Sequence, residues 1–160
     1  NDTVYRIQCT GPTDQPKPID QTTVIVAPPV SDFTFTNPSG NSLVANIVEN
    51  LSANSSSVIL ALSGSAIGNI NLSASLPSIL SGAKAQFSAD NGVTWSDTLS
   101  VEMTSEYKEI KGKVINIPGT TATGVYNVVL TAKDVGVGGI TKKLNVKLEV
   151  KKITSEWEEF

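Results

Sequence analysis

Leu144-Asn145-Val146-Lys147-Leu148-Glu149-Val150 is the stretch on which the fold is decided. Its even positions are apolar and its odd positions are polar. A two-residue period of this kind describes a strand with one face buried and the other wet. Thr141-Lys142-Lys143 leads into it. Full burial of its four apolar side chains would contribute on the order of 6–12 kcal/mol before chain entropy is subtracted, at roughly 1.5–3 kcal/mol each.

Working outward, the same alternation recurs in short runs separated by Gly, Pro, Asn or Ser. Val125 to Thr131 places Tyr126, Val128 and Leu130 on one face, and Val58 to Leu62 turns Val58, Leu60 and Leu62 inward. Ile70 to Ala74, Ala83 to Phe87, Leu99 to Met103 and Lys113 to Ile117 have the same character, the last stopped by Pro118-Gly119. Phe33-Thr34-Phe35 and Leu43 to Val48 supply the first strands. No stretch has helix periodicity. Seven or more short strands over residues 31–150 are most economically packed as a two-layer, antiparallel all-β sandwich. A domain of that length can bury a core without disulfides.

Two segments carry a family resemblance. Asn69-Ile70-Asn71-Leu72-Ser73-Ala74-Ser75-Leu76-Pro77 resembles the G-x-V-x-L-S-x-S-x-L-P segment of bacterial and archaeal immunoglobulin-like surface domains. Ile117-Pro118-Gly119-Thr120-Thr121-Ala122-Thr123-Gly124-Val125-Tyr126 resembles their P-x-x-T-x-x-G-x-Y segment. The resemblance covers roughly residues 33–150 and implies an immunoglobulin-like β-sandwich. It implies no activity, because such modules occur in adhesins, surface layers, pili and, as accessories, secreted hydrolases.

Residues 1–30 read differently. Val4-Tyr5-Arg6-Ile7-Gln8-Cys9-Thr10-Gly11 resembles the strand with Cys that ends many such domains, and Thr22-Thr23-Val24-Ile25-Val26 would be a last strand before a stiff Pro28-Pro29 linker. Two explanations stay open: a piece of a preceding immunoglobulin-like unit, or an N-terminal β extension that pairs with a neighbouring subunit. Thr22–Ala27 is uncharged and β-branched, so it is an aggregation hazard unless paired. Val4, Ile7, Val24, Ile25 and Val26 are therefore the candidate assembly residues. Cys9 is the only thiol, either a small buried apolar residue or one half of an intermolecular bridge. Residues 151–160 form a charged tail carrying Ile153, Trp157 and Phe160.

Composition removes much chemistry. The 160 residues include no His, one Cys and a single Arg, Arg6. Ser-His-Asp and Cys-His nucleophiles and Cys/His zinc sites cannot be built. Gly136-Val137-Gly138-Gly139 lacks the Lys-Ser/Thr of a phosphate loop. The net charge of −3 gives no reason to expect a nucleic-acid partner. No apolar run approaches the roughly 18 residues of a membrane-spanning helix, so direct membrane insertion is not expected. No signal peptide is visible, so a secreted chain would be a mature or trimmed product. Abundant Ser, Thr and Asn point to an extracellular setting, as do sequons at Asn1, Asn50, Asn54 and Asn71, the candidate glycosylation sites.

The sharpest local motif is Ser88-Ala89-Asp90-Asn91-Gly92-Val93-Thr94-Trp95. It resembles the S-x-D-x-G-x-T-W Asp-box, which recurs once per blade in sialidase propellers and occurs once here. Its physical reading is a hairpin: Asn91 and Gly92 tolerate positive φ, the Asp90 carboxylate accepts from turn amides, and Trp95 packs under the turn. Ser88, Asp90, Gly92, Thr94 and Trp95 are its defining residues. A glycan contact at Trp95 is the competing reading. Asp90, Asp97 and Asp134 lie near expected loops and could hold a calcium ion with backbone carbonyls. No other metal or cofactor is expected.

These readings converge on a non-enzymatic extracellular structural protein. It would be a subunit or repeat of a surface filament, pilus, adhesin or surface layer, assembling by β-strand pairing with copies of itself or with neighbouring immunoglobulin-like domains. The alternative is an accessory module of a secreted glycoside hydrolase that binds surface polysaccharide through exposed aromatics such as Trp95, Trp157 and Tyr107. A carboxylate-based enzyme would need two carboxylates converging in one cleft.

Overall fold

A computed structural model describes residues 32–64, 68–103, 107–136 and 139–154. The described residues form nine strands and one 3-10 turn. The strands are β1 (Phe33–Thr36), β2 (Leu43–Val48), β3 (Val58–Gly64), β4 (Gly68–Ser75), β5 (Lys84–Ser88), β6 (Leu99–Met103), β7 (Tyr107–Ile115), β8 (Gly124–Asp134) and β9 (Thr141–Ile153), with the 3-10 turn Ser78–Leu80 between β4 and β5. No helix among them is long and apolar enough to cross a membrane.

The strands build two sheets, β1-β3-β7-β5 and β2-β9-β8-β4-β6. The first has the A-B-E-D order of immunoglobulin sandwiches. The second has their G-F-C order at its centre, with β2 and β6 added at the margins. The protein is an immunoglobulin-like all-β sandwich. One pairing departs from the antiparallel expectation: β2 runs parallel to β9, with Leu43 opposite Leu148 and Val48 opposite Ile153. The chain leaves β1, crosses at Asn37–Gly40 to the other sheet, and meets β9 while still travelling in the same direction.

Every connection but the last crosses from one sheet to the other; only β8 and β9 form a hairpin within a sheet. Each strand therefore contributes one inward row. Phe33, Leu60, Leu62, Ile110 and Val114 from one sheet, with Ile70, Leu72, Val128, Val146 and Leu148 from the other, are essentially solvent-free members of a single core. In the Leu144–Val150 stretch, Val146, Leu148 and Val150 are buried as expected and Leu144 is half-buried. The strand itself continues to Ile153, past the boundary expected at residue 150. Likewise β7 begins at Tyr107, well before the expected Lys113.

Two local devices fix the turn into β8. Tyr126 donates its hydroxyl to the Ala122 carbonyl at 2.8 Å. This is the tyrosine corner of immunoglobulin sandwiches, and Val128 fills the position two residues on where antibody domains carry a core cysteine. Just upstream, Gly119 crosses the turn after β2 so closely that a Cβ there would lie 1.6 Å from the Asn50 carbonyl oxygen. No side chain fits at that crossing.

Tyr126→Phe removes one hydrogen bond and leaves the ring in place. The expected loss is about 1 kcal/mol, seen as a midpoint a few degrees lower in a thermal melt, with an unchanged far-ultraviolet spectrum.

Candidate functional site at the sheet margins

A two-sheet sandwich presents four edge strands, here β1, β5, β2 and β6. Each edge carries backbone N–H and C=O groups that can pair with another strand, so the treatment of each margin decides what the surface can do.

The β5 margin is covered at its Phe87 end by the Ser88–Trp95 hairpin and the residues just after it. Asn91 and Gly92 adopt positive φ, 62° and 93°, and reverse the chain. The Asp90 carboxylate sits inside the turn. It accepts from the Val93 amide at 3.1 Å, the Thr94 amide at 2.9 Å, and the Ser88 and Thr94 hydroxyls at 2.6 and 2.5 Å. The Gly92 amide donates to Ser88 Oγ at 2.8 Å, and Ser88 is buried. Trp95 Nε1 donates to the Gly92 carbonyl at 2.9 Å, folding the indole beneath the turn. Lys113 places its ammonium 3.9 Å from the Trp95 ring centroid, on the outer face of β7. The hairpin then returns along β5. Phe87 and Ser96 exchange backbone bonds at 2.8 and 3.0 Å, and Asp97 takes Lys84 at 2.9 Å and Gln86 at 3.1 Å. The outward groups of Phe87 are thus satisfied within the chain.

The β2 margin is closed by residues 51–57. The Ser56 amide donates to the Val44 carbonyl at 2.7 Å, and the Val44 amide donates to Ser56 Oγ at 2.9 Å. The same loop exchanges bonds between Ala53 and Ile117, at 2.9 and 2.8 Å. The β1 strand is short, and at its start Asp32 pairs with Lys142 of β9 at 3.2 Å, a charged strap across that margin.

The β6 margin differs. Among the described residues β6 pairs only with β4, with Ile70 opposite Val101. Which of its groups face outward follows from β4. The Val135 amide donates to the Asn69 carbonyl, so the odd-numbered residues of β4 bond β8 and the even-numbered ones bond β6. Leu99, Val101 and Met103 are the partners of those even residues, so the N–H and C=O of Ser100 and Glu102 point away from the sheet. Both side chains are exposed.

The other expected site residues are dispersed. Asn50 is exposed in a left-handed turn, φ 59°, and accepts from Lys152 Nζ at 3.5 Å. Asn54 accepts from the Asn116 amide at 3.0 Å, and Asn71 is exposed on β4. Asn1 and the assembly residues Val4, Ile7, Val24, Ile25 and Val26 lie outside the described residues, as do Cys9, Trp157 and Phe160. The structure does not bring the three aspartates considered for calcium together. Asp90 serves its hairpin, Asp97 serves Lys84 and Gln86, and Asp134 is buried with the Gly136 amide on Oδ1 at 2.8 Å. Among the described residues no group of three acidic, His or Cys side chains could hold a metal. A shallow groove of about 440 Å³ lies between Thr123–Val125 and Glu149–Lys152. Its one carboxylate, Glu149, pairs with Lys151 at 3.3 Å. Trp95 is half-buried and Tyr126 is tied to Ala122, which leaves Tyr107 as the exposed aromatic ring among the described residues.

No protein-family model and no curated protein sequence matches this chain. Among solved structures, it is similar to a family 123 glycoside hydrolase from Clostridium perfringens, with 12% identity over 78% of this chain and a TM-score of 0.44; the chain spans 28% of that hydrolase. It is also similar to self-complemented MyfA, the major subunit of Myf fimbriae from Yersinia enterocolitica, with 17% identity, 76% and 98% coverage and a TM-score of 0.40. The collagen-binding subdomain of the Enterococcus faecalis surface protein ACE is a further neighbour, with 10% identity, 79% and 99% coverage and a TM-score of 0.31. The fold assignment rests on the strand order described above.

The hairpin generates a pH prediction. Hydrogen bonds from Ser88, then those from Thr94, hold the Asp90 carboxyl well below its ordinary value. Its folded pKa is depressed, so its stabilisation is fully present above the unfolded value near 3.8 and is lost as pH falls below that. Asp97 is lowered in the same direction, first by its Lys84 bond. Asp90→Asn is expected to lower stability at neutral pH and to flatten the acid limb of the stability profile, measured by urea unfolding at stepped pH. An unchanged acid limb would show that the carboxylate does not hold the hairpin.

Proposed function

We propose that this chain is a non-enzymatic structural module of the cell surface, a subunit or repeat of a filament, pilus, adhesin or surface layer, whose copies join by β-strand pairing. The observation that carries this reading is the unequal treatment of the margins. Among the described residues, the chain's own backbone bonds cover β5 at Phe87 and β2 at Val44 and an ion pair straps the start of β1, while the outer side of β6 has no such cover. The same sequence supplies segments suited to filling such an edge: Val4 to Ile7, and Val24-Ile25-Val26 within an uncharged β-branched run. Strand addition satisfies outward N–H and C=O groups in one step and buries alternate side chains, so affinity comes from the backbone and register from the side chains. The abundant Ser, Thr and Asn and the exposed sequons Asn50 and Asn71 support an extracellular location.

The test is the mass and shape of the full chain in solution, by light scattering over a concentration series and by negative-stain microscopy. Val24→Pro and Val26→Pro each remove a ladder donor from the proposed strand. The chain is expected to associate with rising concentration. Each variant should associate roughly tenfold more weakly or worse, with the melting curve of the sandwich unchanged. A chain that stays monomeric at every concentration overturns the reading.

A further inference from the structure

We infer that β6 is the acceptor edge, and that it takes the Thr22–Ala27 strand of a second copy of this chain. The inference rests on the strand-pairing reading above and names the acceptor edge and its partner.

The open groups are specific. The N–H and C=O of Ser100 and of Glu102 face away from β4, while Leu99, Val101 and Met103 direct theirs into the sheet. An incoming strand therefore finds two residues' worth of donors and acceptors in line. Below that line, Val101 and Met103 are buried and Leu99 is half-buried, so the inner face of the edge is already apolar. Edge strands are ordinarily guarded by Lys, Pro or a bulge. β6 has no Lys and no Pro, its register with β4 runs without interruption, and its one charge is Glu102. A donor opposite this edge must avoid acidic residues beside Glu102 and offer an apolar row next to Val101 and Met103. Thr22-Thr23-Val24-Ile25-Val26-Ala27 meets both requirements and is one residue longer than β6.

Chain length favours a second copy over the same one. Ala27 and Phe33 are six residues apart, which spans roughly 20 Å at full extension. Across the core, β1 touches β9 and β5 touches β4. That puts β6 about three strand spacings from β1, roughly 14 Å, in a sheet roughly 10 Å away. The same chain's segment reaches β6 only with its Pro28-Pro29 linker drawn taut. A second molecule's segment arrives without that restraint.

The experiment uses the full chain with Ser100→Pro and Ser100→Lys. The first deletes an outward donor that β4 does not use. The second keeps the backbone and places a guarding charge on the exposed face, so it serves even where the proline variant fails to fold. Association is measured by light scattering, and amide hydrogen exchange at Ser100 and Glu102 is followed at low and high protein concentration. The expected result is association roughly tenfold weaker in both variants, with protection of the two amides that rises with concentration. Association unchanged in Ser100→Lys but lost in Val24→Pro would overturn β6 as the acceptor and leave strand pairing standing. Protection independent of concentration would assign the donor to the same chain and overturn the second copy. A monomeric parent chain with unprotected amides would remove both readings together.

Discussion

Phe33, Leu60, Leu62 and Ile110 on one sheet and Ile70, Leu72, Val128 and Leu148 on the other form one apolar layer, with no disulfide or metal described within it. Everything else in the sandwich is arranged to keep that layer dry. Because nearly every connection passes from one sheet to the other, each loop is also a lid over an end or margin of the layer. The alternation along each strand sets the inner row, and the outer row is left to Ser, Thr, Asn and Lys. The tolerance is small where loops cross, as the contact between Gly119 and the Asn50 backbone shows.

Closing the layer creates edges, and the chain handles them by different means. The Ser88–Trp95 hairpin is best understood as an edge guard. Its internal bonds around Asp90 rigidify a turn whose return limb satisfies Phe87. Trp95 anchors the turn beneath Lys113 of β7 and is half-buried there. Residues 51–57 play the same part at β2 with serine hydroxyls in place of a carboxylate. These two margins are covered in part and the start of β1 is strapped by charge, whereas among the described residues no segment lies along the outer side of β6.

Much of this was legible in the residues. The Leu144–Val150 alternation, the inward faces of β3 and β8 and the turn chemistry of Asp90-Asn91-Gly92 are local properties, and the structure places them as read. The first half of β7 was not legible. Tyr107-Lys108-Glu109-Ile110-Lys111-Gly112 is dominated by charge, and one of its inward positions is a glycine. Alternation turns position 112 inward, and a side chain there would crowd Leu60, whose Cδ1 lies 3.0 Å from where a Cβ would sit. Nothing in the sequence between residues 107 and 112 reports on Leu60. The parallel pairing of β2 was equally hidden, since a strand's apolar pattern reads the same in either direction. The open margin at β6 depends on which strands become neighbours and on the hydrogen-bond parity of β4, both of which are tertiary facts.

The crossing topology also has a consequence in time. A chain is made from its N-terminus, and in this sandwich the four strands of one sheet, β1, β3, β5 and β7, are all synthesised before β8 and β9. The other sheet is ordered β2-β9-β8-β4-β6, so two of its three interior strands are the last of the nine to appear. Until then β2 lacks the strand it pairs with, β9. The β8–β9 hairpin is the one pairing between named strands that is local in sequence, so it can form quickly, while the other strand pairs must wait for distant segments to meet. The sheet that faces β1, β3, β5 and β7 can therefore be completed only when the β8–β9 hairpin arrives.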